Sequence, residues 1–522
     1  MQRILAGAAL AALLALPTTA HAETFRWAGQ TDPSSLDPHA AAVGTNLSFL
    51  GNIYEGLVRR GKDMSMQPGL AVAWEPLGAD GWRFTLRQGV KFHGGEDFDA
   101  EDVLFSYQRA TGEGSDVSAW FASISEVKVV DSHTIDFLTK RPNPLFPNEI
   151  PNWLIMDKGR AEANGAAAAS KETENFATSN TNGTGPFKVS LREADIRTVL
   201  VPHDGWWDTP EHNVTEAIYT PIDNSATRLA ALLSGEVDFV EPIPLQNVPR
   251  VKATDGITVL EGAETRVIMV GFAHEADALR YGNGAAKNPL QDVRVRRAIY
   301  HAIDIDAIVA KVMRGQAQPA GLLISPGANG FKDELNGRLP HDPNGAKALL
   351  AEAGYADGFT MGFRCPNDRY INDEAICQAI VGMLAQVGVT ANLETITVSK
   401  YWPQLRADEF DMYLLGWSPG GVLDASHPMK FLLSTPNKEA KLGSWNFGDY
   451  SNARIDELYP QITSELDPGK RQDMIDEVHR VMKDEVAYVP LHVQPLVWAV
   501  RDNVALTQRP DNFFNLYWVT VN

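Results

Sequence analysis

Cysteine is scarce in this sequence: Cys365 and Cys377 are the two present among 522 residues. Two thiols twelve positions apart lack the ligand number and spacing of a zinc site. In an oxidising compartment, two cysteines tend to form a disulfide bond. Closing a loop of this size stabilises the folded chain by roughly 3 kcal/mol in the chain-entropy description. We therefore predict a disulfide between these residues, and neither a metal ion nor a cofactor.

Long hydrophobic runs are absent beyond the first residues. Residues 1–22, MQRILAGAALAALLALPTTAHA, place one arginine before an apolar run and end in the small-x-small pattern Ala20-His21-Ala22. This arrangement is typical of a cleaved secretory signal peptide. The run is short for a membrane span, and no later stretch approaches ~20 apolar residues. We expect a mature chain that begins near Glu23 and is exported to the periplasm.

The sequence has no excess of positive charge, and its formal net charge at pH 7 is −20. Such a balance argues against nucleic acid and anionic lipid surfaces as partners. The length exceeds what one hydrophobic core usually serves, at ~100–200 residues per domain, so two or three lobes are expected.

Recognisable catalytic motifs are lacking. The sequence contains no GxSxG, no HExxH, no P-loop and no GxGxxG, the patterns that would indicate a serine hydrolase, a zinc protease or a nucleotide-binding enzyme. The prediction is that the protein is not an enzyme. A secreted hydrolase with an unrecognised carboxylate pair remains a remote alternative.

One stretch, GVKFHGGEDFDAEDVLFSYQR at residues 89–109, is rich in acidic residues. Asp99 suits a helix N-cap, and Asp102 three positions later completes a pattern that resembles a capping box. Acidic side chains in a first helical turn also meet the positive end of the helix dipole. We interpret the run as structural, with residues 90–93 as a strand. The alternative is a metal site at His93 and Asp97.

Residues 359–417 alternate strand and helix in the order β-α-β-α-β. This order predicts parallel strands whose carboxyl ends meet at one edge of the sheet, where ligands of open α/β sheets bind. Arg369 follows the first strand and Asp424 follows the third. An arginine and a carboxylate at that edge suit a zwitterion, with Arg369 on its carboxylate and Asp424 on its ammonium. A plain Arg369–Asp424 salt bridge, or simple solvation, is the alternative.

Ordered motifs along nearly the whole mature chain resemble one family. SLDPH, NIYEGLVRR, GWRFTLRQGVKFHGGEDFDAEDVLFSYQR, GTGPF, VRRAIYHAIDIDAIVAKVMRGQAQPA and ALLAEAGYADGF are similar to the large periplasmic solute-binding proteins of peptide ABC importers, solute-binding family 5. The resemblance implies an α/β, two-lobed periplasmic-binding-protein clamshell with an extra α+β subdomain on the first lobe. Lobe I is expected at 23–62, 183–276 and 494–522, the extra subdomain at 63–182, and lobe II at 277–493.

The resemblance also implies site residues. Peptide-binding members receive the ligand amine on an aspartate soon after a Gly-Trp pair, and an arginine after a lobe II strand can take a carboxylate. The sequence departs from that pattern, because six residues separate Trp417 from Asp424. The residues expected to contact the substrate are Arg369, Asp424, Trp417, Ser418, Tyr370, Trp120 and Trp402.

The function implied by the resemblance is capture without chemistry. The cargo is expected to be a short peptide held between the lobes and passed to an ABC permease in the inner membrane, by a protein that acts as a monomer. Closure would be driven by the difference in ligand affinity between closed and open states. The alternative cargo is a sugar, an opine, nickel or another metal chelate.

Overall fold

The computed structural model describes residues 23–170, 173–283 and 287–522. The expected signal peptide lies outside the described residues. Over the described ranges, no helix combines the length and apolar character needed to cross a membrane.

The strands of the described chain form one large sheet and three smaller ones. Their bounds are β1 Glu23–Gly29, β2 Val58–Arg60, β3 Met66–Pro68, β4 Ala71–Pro76, β5 Gly81–Leu86, β6 Ile124–Asp131, β7 Thr134–Thr139, β8 Phe187–Glu193, β9 Arg197–Pro202, β10 Val214–Pro221, β11 Phe239–Val240, β12 Ile257–Phe272, β13 Gln318–Pro319, β14 Phe359–Pro366, β15 Val389–Ile396, β16 Met412–Trp417, β17 Val489–Arg501, β18 Val504–Ala505 and β19 Thr520–Val521.

The α-helices are concentrated in the second half of the chain. They are α1 Gly44–Leu50, α2 Ala100–Thr111, α3 Phe146–Glu149, α4 Lys158–Ala163, α5 Phe176–Ser179, α6 Ser225–Ser234, α7 Val248–Lys252, α8 Val293–Ala302, α9 Ile305–Ala307, α10 Pro343–Glu352, α11 Asp373–Ala385, α12 Val398–Arg406, α13 Ser426–Pro428, α14 Ala453–Ile462 and α15 Pro468–Asp484. Short 3₁₀ turns occupy Ser118–Phe121, Leu245–Asn247, Pro289–Gln291, Asp333–Leu335, Gly420–Val422 and Leu516–Trp518, and π-helical turns occupy Ile308–Val312 and Met429–Leu433.

The large sheet joins both halves of the molecule. Its order is β15-β14-β16-β12-β17-β11-β1-β10-β9-β8, with β13 pairing on β17. On one side β14 is parallel to β15 and β16. On the other side β1 is parallel to β10 and β11. Each half therefore presents the carboxyl ends of parallel strands, and the two sets are joined through β12 and β17.

Strands β12 and β17 are the connection between the halves. The first part of β12 pairs with residues 495–501 of β17, and its second part pairs with residues 489–493 and with β16. The register breaks between Ala263 and Val267. Residues 264–266 lie between the two paired parts, form the crossing between the halves, and precede the expected boundary at 276. The expected lobe limits themselves stay a prediction.

The stretch rich in acidic residues belongs to a separate four-stranded antiparallel sheet, β4-β5-β7-β6, covered by α2. Asp99 caps α2: its carboxylate accepts from the backbone N–H of Glu101 at 2.8 Å, and Asp102 accepts from that of Asp99 at 3.0 Å. The structural interpretation is therefore confirmed. The expected strand at 90–93 is wrong, since only the bridge between Lys91 and Asp97 forms there.

The β-α-β-α-β prediction is confirmed as β14-α11-β15-α12-β16 with parallel strands. Cys365 near the end of β14 is bonded to Cys377 in α11, with Cα atoms 6.5 Å apart, so the disulfide prediction is confirmed as well. The bond fastens the strand to its crossover helix. The loop 367–372 between them is therefore held at both ends.

Candidate functional site

A cavity of about 940 Å³ lies between the two sets of parallel strand ends. Its volume falls at the upper end of the range for small-molecule sites, ~300–1,000 Å³. Residues of the β1–α1 region, the segment after β11 and the C-terminal loop line one side. The other side is lined by the loops after β14 and β16, by α12, and by the crossing strands. The lining includes Tyr219, Glu241, Glu264, Arg266, Asp368, Arg369, Tyr370, Trp402, Trp417, Ser418, Trp445, Gln494 and Asp511.

Arg369 and Tyr370 reach the cavity from the loop that the disulfide encloses. Asp373, the first residue of α11, fixes this loop because its Oδ2 accepts from the backbone N–H groups of Arg369 at 3.0 Å and Tyr370 at 2.9 Å. Burial raises the pKa of Asp373, opposed by these bonds. The guanidinium of Arg369 is exposed and lies 5.2 Å from the centre of the Tyr370 ring. Within the described ranges it has no carboxylate partner, so it is available to an anion.

Aromatic side chains form the wall beside this arginine. The ring of Trp445 lies 5.2 Å from that of Trp402 and 5.6 Å from that of Trp417. Trp417 donates from Nε1 to Nδ1 of His427 at 3.1 Å. Burial lowers the pKa of His427 to about 3, so the ring is neutral and free to accept this bond. Such a wall offers apolar, polarisable surface for stacking.

Polar groups of the crossing strands make up the floor. Ser418 Oγ is 2.8 Å from Oγ1 of Thr265. Glu264 accepts from Gln494 at 2.5 Å and from Arg266 at 3.2 Å. The backbone N–H of Ile371 donates to Gln494 Oε1 at 3.3 Å. The polar groups of the floor are thus hydrogen-bonded to one another and to the loop that carries Arg369.

Asp424 is not part of this cavity, which corrects the expectation for this residue. It is fully buried, and Oδ1 accepts from the guanidinium of Arg471 at 2.7 Å and from the backbone N–H of Ser426 at 2.8 Å. The longer loop after Trp417 carries this carboxylate into the interior of lobe II, where it joins α15 to the loop. The proposed Arg369–Asp424 salt bridge does not form either.

Trp120 also lies outside the cavity. It packs partly buried between the core of the four-stranded sheet and that of the neighbouring lobe. His93 does not join a metal site: its Nε2 is 3.0 Å from the carbonyl oxygen of Gly185, and Asp97 pairs with Lys91 at 2.6 Å. Over the described ranges, no group of three potential metal ligands occurs.

The remaining expected residues, Arg369, Tyr370, Trp402, Trp417 and Ser418, all line the one cavity. Their contact with a substrate stays a prediction. Sequence reasoning missed the opposite wall, including Glu241, which directly follows β11. The rule that ligands bind at carboxyl ends of parallel strands would have found it, had it been applied to the strands FRWAG and VDFV as well.

Comparison with known proteins gives a consistent result. Residues 65–440 match the family model described as bacterial extracellular solute-binding proteins, family 5 Middle. The chain is 27% identical over 500 residues to a dipeptide-binding protein of Escherichia coli (strain K12), covering 90% of this chain and 89% of that protein. It is 26% identical to heme-binding protein A of Haemophilus influenzae, with 90% and 86% covered. Both relatives are named as binding proteins.

A solved structure is similar over almost the whole chain. It is the ABC transporter-associated periplasmic binding protein DppA from Helicobacter pylori in complex with the peptide STSA, with a TM-score of 0.75 and 23% identity over 96% of this chain and 98% of that one. At this identity the likeness establishes the fold, and the expected two-lobed α/β clamshell is confirmed.

Proposed function

Because the chain belongs to the bacterial extracellular solute-binding proteins of family 5, we propose that it is the periplasmic substrate-binding component of an ABC importer with a short peptide as cargo. The observation that carries the proposal is the unpaired guanidinium of Arg369 in a cavity between two sets of strand ends. A guanidinium in such a place binds a carboxylate in a two-pronged fashion. A relative and a structural neighbour are named for dipeptide and peptide binding.

The walls suit a peptide side chain as well as its terminus. Trp402, Trp417 and Trp445 provide stacking surface next to the arginine. The neutral polar groups Ser418 and Gln494 face the same space and can bond to amide groups. A dipeptide is well within a volume of about 940 Å³, so water or a further residue fills the rest.

In this proposal the protein captures its cargo when the two lobes close on it. The two lobes touch where Arg60 Nη2 donates to the carbonyl oxygen of Gly421 at 2.8 Å, next to Gly420 of the cavity lining. A ligand that touches both lobes favours this closed arrangement by its differential affinity for it. The crossing at 264–266 and Gln494 would bend, because there the ladder of β12 and β17 is interrupted. The closed protein would then dock, as a monomer, on a permease of the inner membrane.

A second cargo class is favoured by one observation. Asp424 is withdrawn from the cavity and neutralised by Arg471, so this carboxylate is not available to an amine. A carboxylate-bearing solute without an amine would still satisfy Arg369 and the tryptophan wall. Heme, in the name of one relative, is an example of an apolar molecule with carboxylates.

The test uses the mature chain from residue 23 and a pool of alanyl-X and X-alanine dipeptides, followed by native mass spectrometry. We expect a one-to-one complex and recovery of the peptides unhydrolysed. Arg369→Met should weaken calorimetric affinity about 10- to 100-fold, the loss of one charged hydrogen-bond pair, whereas Arg480→Met, an exposed arginine on α15, should not. Absence of any dipeptide complex would contradict the peptide proposal, and hydrolysis would restore the enzyme alternative.

A further inference from the structure

Glu241 stands at the carboxyl end of a lobe I strand, facing the same cavity as Arg369. It follows β11 directly, and its backbone N–H donates to the carbonyl oxygen of Ala28 in β1 at 3.2 Å. Strands β1 and β11 are parallel, so this position mirrors that of Arg369 after β14. The two residues lie on opposite lobes and line one space.

The carboxyl group of Glu241 is not committed to the protein. Its Oε2 is buried without a hydrogen-bond partner, and within the described ranges no ion pair involves this side chain. Burying an unpartnered carboxyl group is costly, so such a group is a candidate for contact with a ligand.

The other carboxylates of the cavity already have partners. Glu264 is bonded to Gln494 and Arg266, Asp511 is paired with Arg509, and Asp368 accepts from the backbone N–H of Val398 at 2.6 Å. Among the carboxyl groups that line the cavity, Glu241 is thus the one with a buried oxygen that lacks a partner.

Two ionisable groups from neighbouring elements lie near Glu241. Arg228 of α6 lies near, but its guanidinium donates to the carbonyl oxygens of Ile222 at 2.5 Å and Pro242 at 3.0 Å. Tyr219 of β10 donates its hydroxyl to the carbonyl oxygen of Thr31 at 2.5 Å. Burial raises the pKa of Glu241 to about 8, with Arg228 opposing the rise. The carboxyl is therefore mostly protonated at neutral pH, and a cation placed against it would favour its ionised form.

We propose that Glu241 accepts the terminal ammonium of the cargo, opposite the carboxylate site at Arg369, and so makes the protein selective for solutes that carry both groups. The inference rests on the proposed capture of short peptides and names the residue that replaces Asp424. The amine is held from lobe I and the carboxylate from lobe II. A zwitterionic cargo would therefore join the two lobes through its own charges.

Release of the Glu241 proton on ligand binding would distinguish a binding role from a purely structural one. At pH 6.5 a group with a pKa of about 8 is almost fully protonated, while a peptide ammonium keeps its proton. Contact between the ammonium and the ionised carboxylate then expels about one proton to the buffer. Calorimetry in two buffers that differ in ionisation enthalpy measures this number.

The experiment takes the best-bound dipeptide of the pool and its N-acetyl derivative. For the natural chain we expect at least tenfold tighter binding of the free amine and release of about one proton. Glu241→Gln, which keeps the shape and removes the charge, should bring the two ligands to near parity and abolish the release. Glu236→Gln, a control at an exposed glutamate just before β11, should behave like the natural chain.

Each result decides between the proposals. Equal affinity for both ligands in the natural chain, or an unchanged preference in the folded Glu241→Gln variant, would overturn the role of Glu241 and leave peptide binding intact. Preference for the acetylated ligand would overturn it too and would favour the amine-free cargo class. Failure of both the dipeptide pool and its acetylated counterpart to bind would refute the peptide proposal itself and, with it, this inference.

Discussion

Replacing Asp424 should damage stability and leave ligand affinity unchanged. The carboxylate is fully buried and bonded to Arg471, whose side chain is 11% exposed. Removing one partner of a buried ion pair costs about 3–5 kcal/mol, because the other charge stays behind without compensation. The guanidinium of Arg471 keeps a bond to the carbonyl oxygen of Ile462 at 3.0 Å. For Asp424→Asn we therefore expect the lower end, about 3 kcal/mol.

The measurement is urea unfolding followed by tryptophan fluorescence, with calorimetric titration of the best-bound dipeptide on the folded variant. Asp473→Asn, an exposed aspartate on the same helix as Arg471, is the matched control and should change neither quantity. A double variant, Asp424→Leu with Arg471→Met, should regain part of the loss because no charge is left buried. Unchanged stability together with an affinity loss of tenfold or more would refute the reasoning and return Asp424 to the binding site.

Three further perturbations test the loop of Arg369, the contact between the lobes at Arg60 and the buried carboxyl group of Glu241. Removing both Cys365 and Cys377 by alanine substitution should cost roughly 3 kcal/mol of unfolding free energy and weaken binding by loosening the loop of Arg369. Arg60→Met should weaken binding about tenfold, from the lost bond to Gly421, and reduce ligand-induced compaction in small-angle scattering. Glu241→Gln should gain stability over the natural chain as pH rises from 5 to 9. In the natural chain, the raised pKa of Glu241 means that the folded state retains a proton between pH 4.5 and about 8, whereas the unfolded state loses it. The natural chain therefore loses stability as the pH rises through that window.

Each of these expectations has a result that would contradict it. For the disulfide, equal denaturant midpoints with and without a reducing agent would do so. For Arg60, an affinity equal to that of the natural chain would show that the contact does not help closure. For Glu241, a stability difference that stays constant across the pH range would mean that its carboxyl group titrates normally.

Local chemistry made much of lobe II predictable from sequence. Capping side chains and a β-α-β-α-β alternation are encoded over a few residues, and parallel pairing then follows from chain direction. This is why the loop of Arg369 and the end of β16 were placed at one edge. The strand expected at 90–93 failed because alternation alone does not provide a neighbouring strand to pair with.

The position of Asp424 was less predictable. Topology brings the start of the loop after Trp417 to the sheet edge, but a loop of this length can turn inward. Whether it does depends on Arg471 of α15, which lies 47 positions away. No local sequence pattern indicates this partner. Glu241 was missed for a related reason: its neighbours in space, β1 and β17, come from distant parts of the chain.

The ribbon formed by β12 and β17 also determines how lobe II is joined to the rest. Val267 and Val493 are register partners, so the chain enters and leaves this lobe at adjacent points, ~5 Å apart across neighbouring strands. Residues 267–493 are therefore inserted into the rest of the chain through one pair of neighbouring strands. An exchange of this segment between relatives at these two positions would carry the guanidinium and the tryptophan wall to a new host, while the carboxyl group of Glu241 stayed behind.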